Sequence, residues 1–286
     1  MVDALLDQIE QWYQAGEYGR VIYHCDLYLT KPEFQQHRAF LLYAKGLAYQ
    51  KSGPAWAGHA MTCFREGIAA SKKDPVMKAK LIIDLGNMYC RTGDCAAYET
   101  LLSDFQRLDQ KHPRIRRLSY DLWFNYGCVL DNAFRYAEAA DAFARAVSLA
   151  EELQLSEELG KSLHNLGGVH LAMGHLAETA VIMAQAEPLI NDELHGHKKL
   201  SRRAEYALAA GDLISAQQWI TAALLHPKVD DRTRADLHYT WARTLRALGR
   251  PEDALEVAWK GLNFAAKAVY HPGIHKLNRF VQEVSG

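Results

Sequence analysis

An all-α repeat, made of about seven helix pairs and a final capping helix, is the fold class the sequence predicts. Three observations predict it. Turn points recur at a nearly constant interval, an apolar–small–apolar pattern precedes them, and the alternation of a half-buried strand is almost absent. The turn points are Gly16, Gly53, Gly93, Phe134, Gly174, Gly211 and Gly249, spaced by 37, 40, 41, 40, 37 and 38 residues. Periods of this size mark stacked units that each bury a face against the next.

Taken in order, the units run over residues 2–38, 39–74, 75–115, 116–156, 157–195, 196–230 and 231–268, one repeat domain in all. The first keeps Trp12 and the turn Gly16-Glu17-Tyr18, and the second carries two extra residues in Ser52–Gly58. From the third unit on, the first helix shows a clear stripe. It reads Ile82, Leu85, Gly86, Tyr89, then Trp123, Tyr126, Gly127, Leu130, then Leu163, Leu166, Gly167, His170. The last unit has His238, Trp241, Ala242, Leu245. Positions three and four apart share a helix face, so each set is one stripe. Glycine inside a helix costs about 1 kcal/mol against alanine, so its return in one register implies that a neighbour packs there. The second helices repeat the arrangement with small residues around a plug, as in Ala139, Phe143, Ala146 and in Ala216, Ile220, Ala223. The fourth unit lacks glycine at its turn, where Phe134 stands. Residues 272–284 read as the cap, with Pro272 in its first turn and Ile274, Leu277, Phe280 and Val281 on one face.

These motifs resemble the tetratricopeptide repeat, whose pattern is W-x2-LG-x2-Y followed by A-x3-F-x2-A and proline. The resemblance runs from about residue 2 to 265 and implies a right-handed superhelical solenoid that binds extended segments along its concave face. The period exceeds the family's usual 34, which implies longer second helices or connections.

With the stripe at positions 4, 7, 8 and 11 of each first helix, positions 2, 5, 6, 9, 12 and 13 face the other way. On that side lie Tyr43, Asn87, Phe124, Asn125, Lys161, His164, Asn165, Lys198, Arg202 and Arg243, the candidate peptide-binding residues. An asparagine amide both donates and accepts, which suits the backbone of an extended peptide. Helices pack about 10 Å apart and an extended chain advances about 3.3 Å per residue. Asparagines on successive units would therefore meet a peptide at roughly every third residue. Some tetratricopeptide proteins hold a terminal carboxylate with lysine, asparagine and arginine from three first helices. Two framings match this in part, one through Asn87, Asn125 and Lys161, the other through Asn165, Lys198 and Arg202. In the second, Phe124 and Cys128 replace the family's lysine and asparagine.

Catalytic and metal chemistry find little support. His195 and His197 stand beside two lysines, Pro272 separates His271 from the helix carrying His275, and Cys90 and Cys95 lack a completing pair. No phosphate loop, nucleophile elbow or zinc-protease motif occurs. The chain of 286 residues has 33 basic and 34 acidic side chains, a net charge of −1, which favours neither nucleic acid nor a membrane surface. Five scattered cysteines suit reduced thiols and a cytoplasmic setting. The N-terminus lacks the uninterrupted apolar stretch of a signal peptide.

The function expected is a non-enzymatic scaffold, without cofactor, that captures a protein or short peptide carrying an acidic group. A more distant resemblance, on the 40-residue period and the asparagine-lined face, is to the peptide-sensing regulators of Gram-positive bacteria. Their DNA-binding helix-turn-helix has no counterpart before the first repeat, so the resemblance implies a sensor acting through protein contacts. A third expectation is an adaptor that uses its convex face.

Overall fold

A computed structural model describes residues 2–90 and 94–286. Gly93, the expected third turn, lies outside the described residues. Among those described, fifteen α-helices follow one another and no strand occurs. Seven pairs are formed by α1 (Val2–Gln14) and α2 (Tyr18–Leu29), α3 (Arg38–Ser52) and α4 (Ala57–Ala70), α5 (Pro75–Cys90) and α6 (Cys95–Gln106), and α7 (Pro113–Asn132) and α8 (Tyr136–Glu152). They continue with α9 (Ser156–Ala172) and α10 (Leu176–Ala186), α11 (Asp192–Ala209) and α12 (Leu213–Leu224), and α13 (Asp231–Ala247) and α14 (Pro251–Lys267). Helix α15 (His271–Ser285) follows. It begins one residue before Pro272, so His271 is helical after all. Proline is tolerated there because amides of the first turn have no acceptor within the helix. No described helix is long and apolar enough to cross a membrane.

Tight turns between paired helices share one construction. At Gly16, Gly174, Gly211 and Gly249 the backbone is left-handed, with φ of 76°, 82°, 82° and 76°. The amide of the residue after each of these glycines returns to a carbonyl five back, as in Arg250 N to Leu245 O at 3.0 Å, the Schellman closure. Phe134 takes the same conformation at φ 62°, with Arg135 N donating to Leu130 O at 2.9 Å. The fourth turn thus keeps the geometry without the glycine. Gln154 and Val269 adopt it too, at φ 55° and 51°, in the connections that follow α8 and α14. The extra residues of the second unit form a 3-10 turn, Pro54–Trp56, after Gly53.

A side chain in the left-handed region costs roughly 1–2 kcal/mol, most for a β-branched one. Val269 is 41% exposed, so its side chain returns little by packing. Val269→Gly is therefore expected to stabilise the protein by about 1 kcal/mol, after allowing for glycine's greater unfolded-state freedom. A urea midpoint that fell, or did not move, would show that Val269 is not strained.

The described chain divides into two compact units, the first Met1–Tyr89 with Ala96–Leu122, the second Cys90–Cys95 with Trp123–Gly286. In the first, Ile9, Val21, Cys25, Tyr28, Phe34 and Leu41 make a buried core. Tyr98 is fully buried, and its hydroxyl donates to Leu122 O at 2.7 Å. A β-carbon at Gly86 would stand 2.7 Å from the Tyr98 ring. In the second, Phe143 fills the place beside Gly127, where a β-carbon would fall 2.6 Å from the ring. Glycine on the first helix and an aromatic on the second form the lock that the repeated stripe implies. Further cores surround Ile220 and Leu237, and Leu245, Leu277 and Phe280. There α15 covers the last pair as a cap should.

Candidate functional site

In the first unit two of the candidate residues meet. The Tyr43 hydroxyl and the Asn87 amide both lie beside the Asp84 carboxylate and favour its charged form. Burial still holds that carboxyl above its ordinary range, against both groups and Lys80. Tyr43 also packs its ring 6.4 Å from Phe64. Both candidate side chains are thus already engaged in an internal polar cluster. Elsewhere in this unit a cleft of about 590 Å³ is lined by Asp26, Lys45, Tyr49, His59 and Glu66 among others. Lys45 is paired there with Asp26 at 2.5 Å.

The second unit concentrates charge. Its first helices α9, α11 and α13, the end of α7, and α15 converge on one cluster. Arg232 of α13 donates to the Asn132 side chain of α7 at 3.4 Å and stacks 4.4 Å from the Tyr270 ring. Lys276 and His275 of α15 lie 5.7 and 5.6 Å from the Phe134 ring. Burial pushes the Asp131 and Asp236 carboxyls upward against the pull of Lys276 and Arg232, and at Asp131 of Arg202 as well. Burial works against the Lys276 charge too, yet Tyr270, Asp236 and Asp131 outweigh it and the pKa is raised. Burial also raises the Cys128 thiol to about 12. Arg232 nonetheless stays exposed, and Asp131, Asp236 and Lys276 half-exposed. Water reaches a face whose groups are flanked by protein on several sides.

Around this cluster lie the remaining candidates. Arg202 bonds Glu205 at 2.5 Å, and its guanidinium lies so close over Gly168 that any β-carbon there would overlap it. Its Nε is buried with no hydrogen-bond partner among the described residues. His164 is half-buried, its pKa held well below 6.5 by burial first and then by Arg202 and Lys198. The Asn165 amide points at Cys128 Sγ, 3.9 Å away. Lys198 is exposed. Lys161 is exposed as well and pairs with Glu157 at 2.6 Å. Arg243 stacks 5.6 Å from Tyr239, in a cleft of about 380 Å³ shared with Arg246, Phe280 and Glu283.

Two candidates serve packing. Phe124 meets the Phe143 plug edge-on at 5.9 Å. Asn125 is only 9% exposed, and its carbonyl accepts from Cys90 Sγ at 3.3 Å. The sequence reading missed Arg232, Asp236 and Lys276. Asp236 holds position 2 of its first helix and was open to the same register argument. Arg232 precedes that register, and Lys276 belongs to the cap, so no repeat signal could mark them.

Several solved structures share this architecture. A tetratricopeptide repeat protein from Parabacteroides merdae superposes with a TM-score of 0.69 over 99% of this chain and 98% of its own, at 13% identity. The APC/C hetero-tetramer Cut9–Hcn1 gives 0.61 over 96% of this chain, at 13% identity, and this chain spans about half (48%) of the matched one. No protein-family model and no curated protein sequence matches the chain. The fold is that of tetratricopeptide repeat proteins.

Proposed function

We propose that this chain is a non-enzymatic binding scaffold that captures an extended protein segment on the first-helix face of its second unit. An acidic group of the segment would seat on Lys198 and Arg202, with Arg232, Arg243 and Lys276 supplying the surrounding positive field. Helical repeats of this kind generally bind protein partners rather than catalyse reactions, and the coarse reading rests on that. The observation that carries the finer one is Arg202. One nitrogen is tied to Glu205, while the buried Nε has no acceptor among the described residues. That Nε lies out of a ligand's reach, but 18% of the Arg202 side chain stays open, and a carboxylate meeting the open part gains a charge-assisted bond from a guanidinium already fixed over Gly168. On this face cations outnumber carboxylates, Lys198, Arg202, Arg232, Arg243 and Lys276 against Asp131, Glu205 and Asp236. Asn165 stands one helix away to engage a peptide backbone. Asn87, Tyr43 and Lys161 have partners of their own and contribute less.

Fluorescence anisotropy with a panel of labelled acidic peptides, each with a free or an amidated C-terminus, tests this. Binding by the acidic peptides is expected to weaken about 10- to 100-fold in Arg202→Ala, the worth of a hydrogen bond to a charged group. It should also weaken in Lys198→Glu, which lies at the surface and leaves the core alone. Raised salt should weaken it further. The amidated peptides tell a terminal carboxylate from an acidic side chain. If no peptide binds, or the two variants bind as well as the wild type, the proposal fails.

A further inference from the structure

Gly167 and Gly168 stand side by side in α9, and their surroundings are opposite. At Gly167 a β-carbon would meet Ile182 of the following helix at 3.4 Å, an ordinary contact. At Gly168 it would fall 2.5 Å from Cζ and 2.6 Å from Nη1 of Arg202, and closer still to Nη2. Heavy atoms that are not bonded rest at about 3.5–4.0 Å. The guanidinium therefore occupies the space that any other residue would fill with its own side chain.

Helix geometry explains how it comes to lie there. On α9, His164 and Gly168 are four residues apart, and on α11 so are Lys198 and Arg202, so each pair shares one helix face. Both Arg202 and Lys198 bear on the His164 ring, which sets the two faces against each other. Arg202 spans the gap between the helices, and Gly168 leaves it room to rest on α9. Glu205 then fixes its direction by accepting from Nη1 at 2.5 Å. Nε is buried, yet 18% of the side chain stays open. The pieces form a seat, a latch and an exposed edge.

We infer that Gly168 is the positioning residue of this site. Its bare α-carbon seats Arg202, and the seated guanidinium, with Lys198 one turn before it, selects a carboxylate. This rests on the reading of the face as a receptor for an acidic segment, and adds the residue that sets its specificity. A mobile arginine loses rotamer freedom when it grips a ligand, whereas one already held in place loses little, which tightens binding. A methyl group at position 168 would lift the guanidinium by about 1 Å and spoil its aim at both Glu205 and the acid. The helices themselves need not move, because the displaced group is the far end of a long side chain. Alanine is also the better helix former. Binding should therefore fall while stability stays level or rises, a split that a residue needed only for packing could not produce.

Fluorescence anisotropy with the same acidic peptides, beside urea denaturation, tests this on Gly168→Ala, Gly167→Ala, Arg202→Ala and the Gly168→Ala/Arg202→Ala double variant. Gly168→Ala is expected to weaken binding about tenfold, the lower end for a hydrogen bond to a charged group, with a urea midpoint no lower than that of the wild type. Gly167→Ala adds the same methyl one residue away and should bind as the wild type does. In the Arg202→Ala background Gly168→Ala should have no further effect, since no guanidinium remains to be displaced. A Gly168→Ala protein that binds as tightly as the wild type, or loses stability along with affinity, overturns this inference alone. So does a loss that persists undiminished without Arg202, which would mean that the peptide itself lies against Gly168. A wild type that binds no acidic peptide overturns the inference together with the reading beneath it.

Discussion

Gly127→Val is expected to destabilise the second unit by about 3 kcal/mol, the upper part of the usual range for overpacking a core. The first added carbon already falls 2.6 Å from the Phe143 ring, and that ring is 1% exposed with no room to turn aside. Valine adds two further methyl groups and brings a β-branched side chain into a helix, so nothing in local propensity offsets the clash. Gly167→Ala in the next first helix should do the opposite. There a β-carbon meets Ile182 at 3.4 Å, an ordinary contact. The better helix former is therefore expected to gain up to about 1 kcal/mol. Urea denaturation of both variants measures this. Phe143→Ala alone should cost about 3–5 kcal/mol, and combined with Gly127→Val it should cost less than the two added, because valine fills part of the void. Simple additivity, or a neutral Gly127→Val, would mean that the two residues do not interlock.

Acid should weaken the second unit through its buried histidines once pH falls below about 6.5. His164 has its folded pKa held well below 6.5, by burial first and then by the cationic field of Arg202 and Lys198, with His195 and His197 adding to it. In the unfolded chain it titrates near 6.5. At higher pH both states are neutral and no penalty exists. As pH falls from about 6.5 toward the folded value, the unfolded state holds a proton that the folded state does not. The unfolding free energy then drops by up to about 1.4 kcal/mol per pH unit for this residue. The same sign applies to His195, His197 and His238, whose pKa values burial also lowers first. Urea midpoints taken from about pH 7.5 to about pH 5 should fall steadily, and His164→Leu should remove close to one proton from the slope. An unchanged slope in that variant would mean that folded His164 titrates like the unfolded residue.

The turn at Phe134 illustrates how much the repeat phase alone carries. Nothing about phenylalanine suggests a left-handed residue. Its position, 40 residues before Gly174, places it there, and the backbone is left-handed at φ 62°. The same phase makes Gly86 and Gly127 contact points for a plug. These are local and periodic properties, set by helix geometry and by which side chains can nest, so a linear reading reaches them.

The candidate face was legible only as a register. Position numbers mark Lys198, Arg202 and Asn165 as lying opposite the packing stripe, and all three lie at the charged cluster. The same numbers mark Asn125, which tertiary packing leaves 9% exposed, and Phe124, which leans on the Phe143 plug. Gly167 and Gly168 look equivalent in the chain. Only the second has a guanidinium lying over it, because Arg202 of the following unit reaches back.

Helix pairs, their turns, the capping helix and the small-residue locks thus follow from the sequence by itself, since each depends on residues within one period. Which charges gather at Asp131, Asp236, Arg232 and Lys276 depends on contacts between residues up to about 145 positions apart, as between Asp131 and Lys276. Charges interact through space rather than along the chain, and exposure is settled by what packs alongside, so only the tertiary structure could decide them.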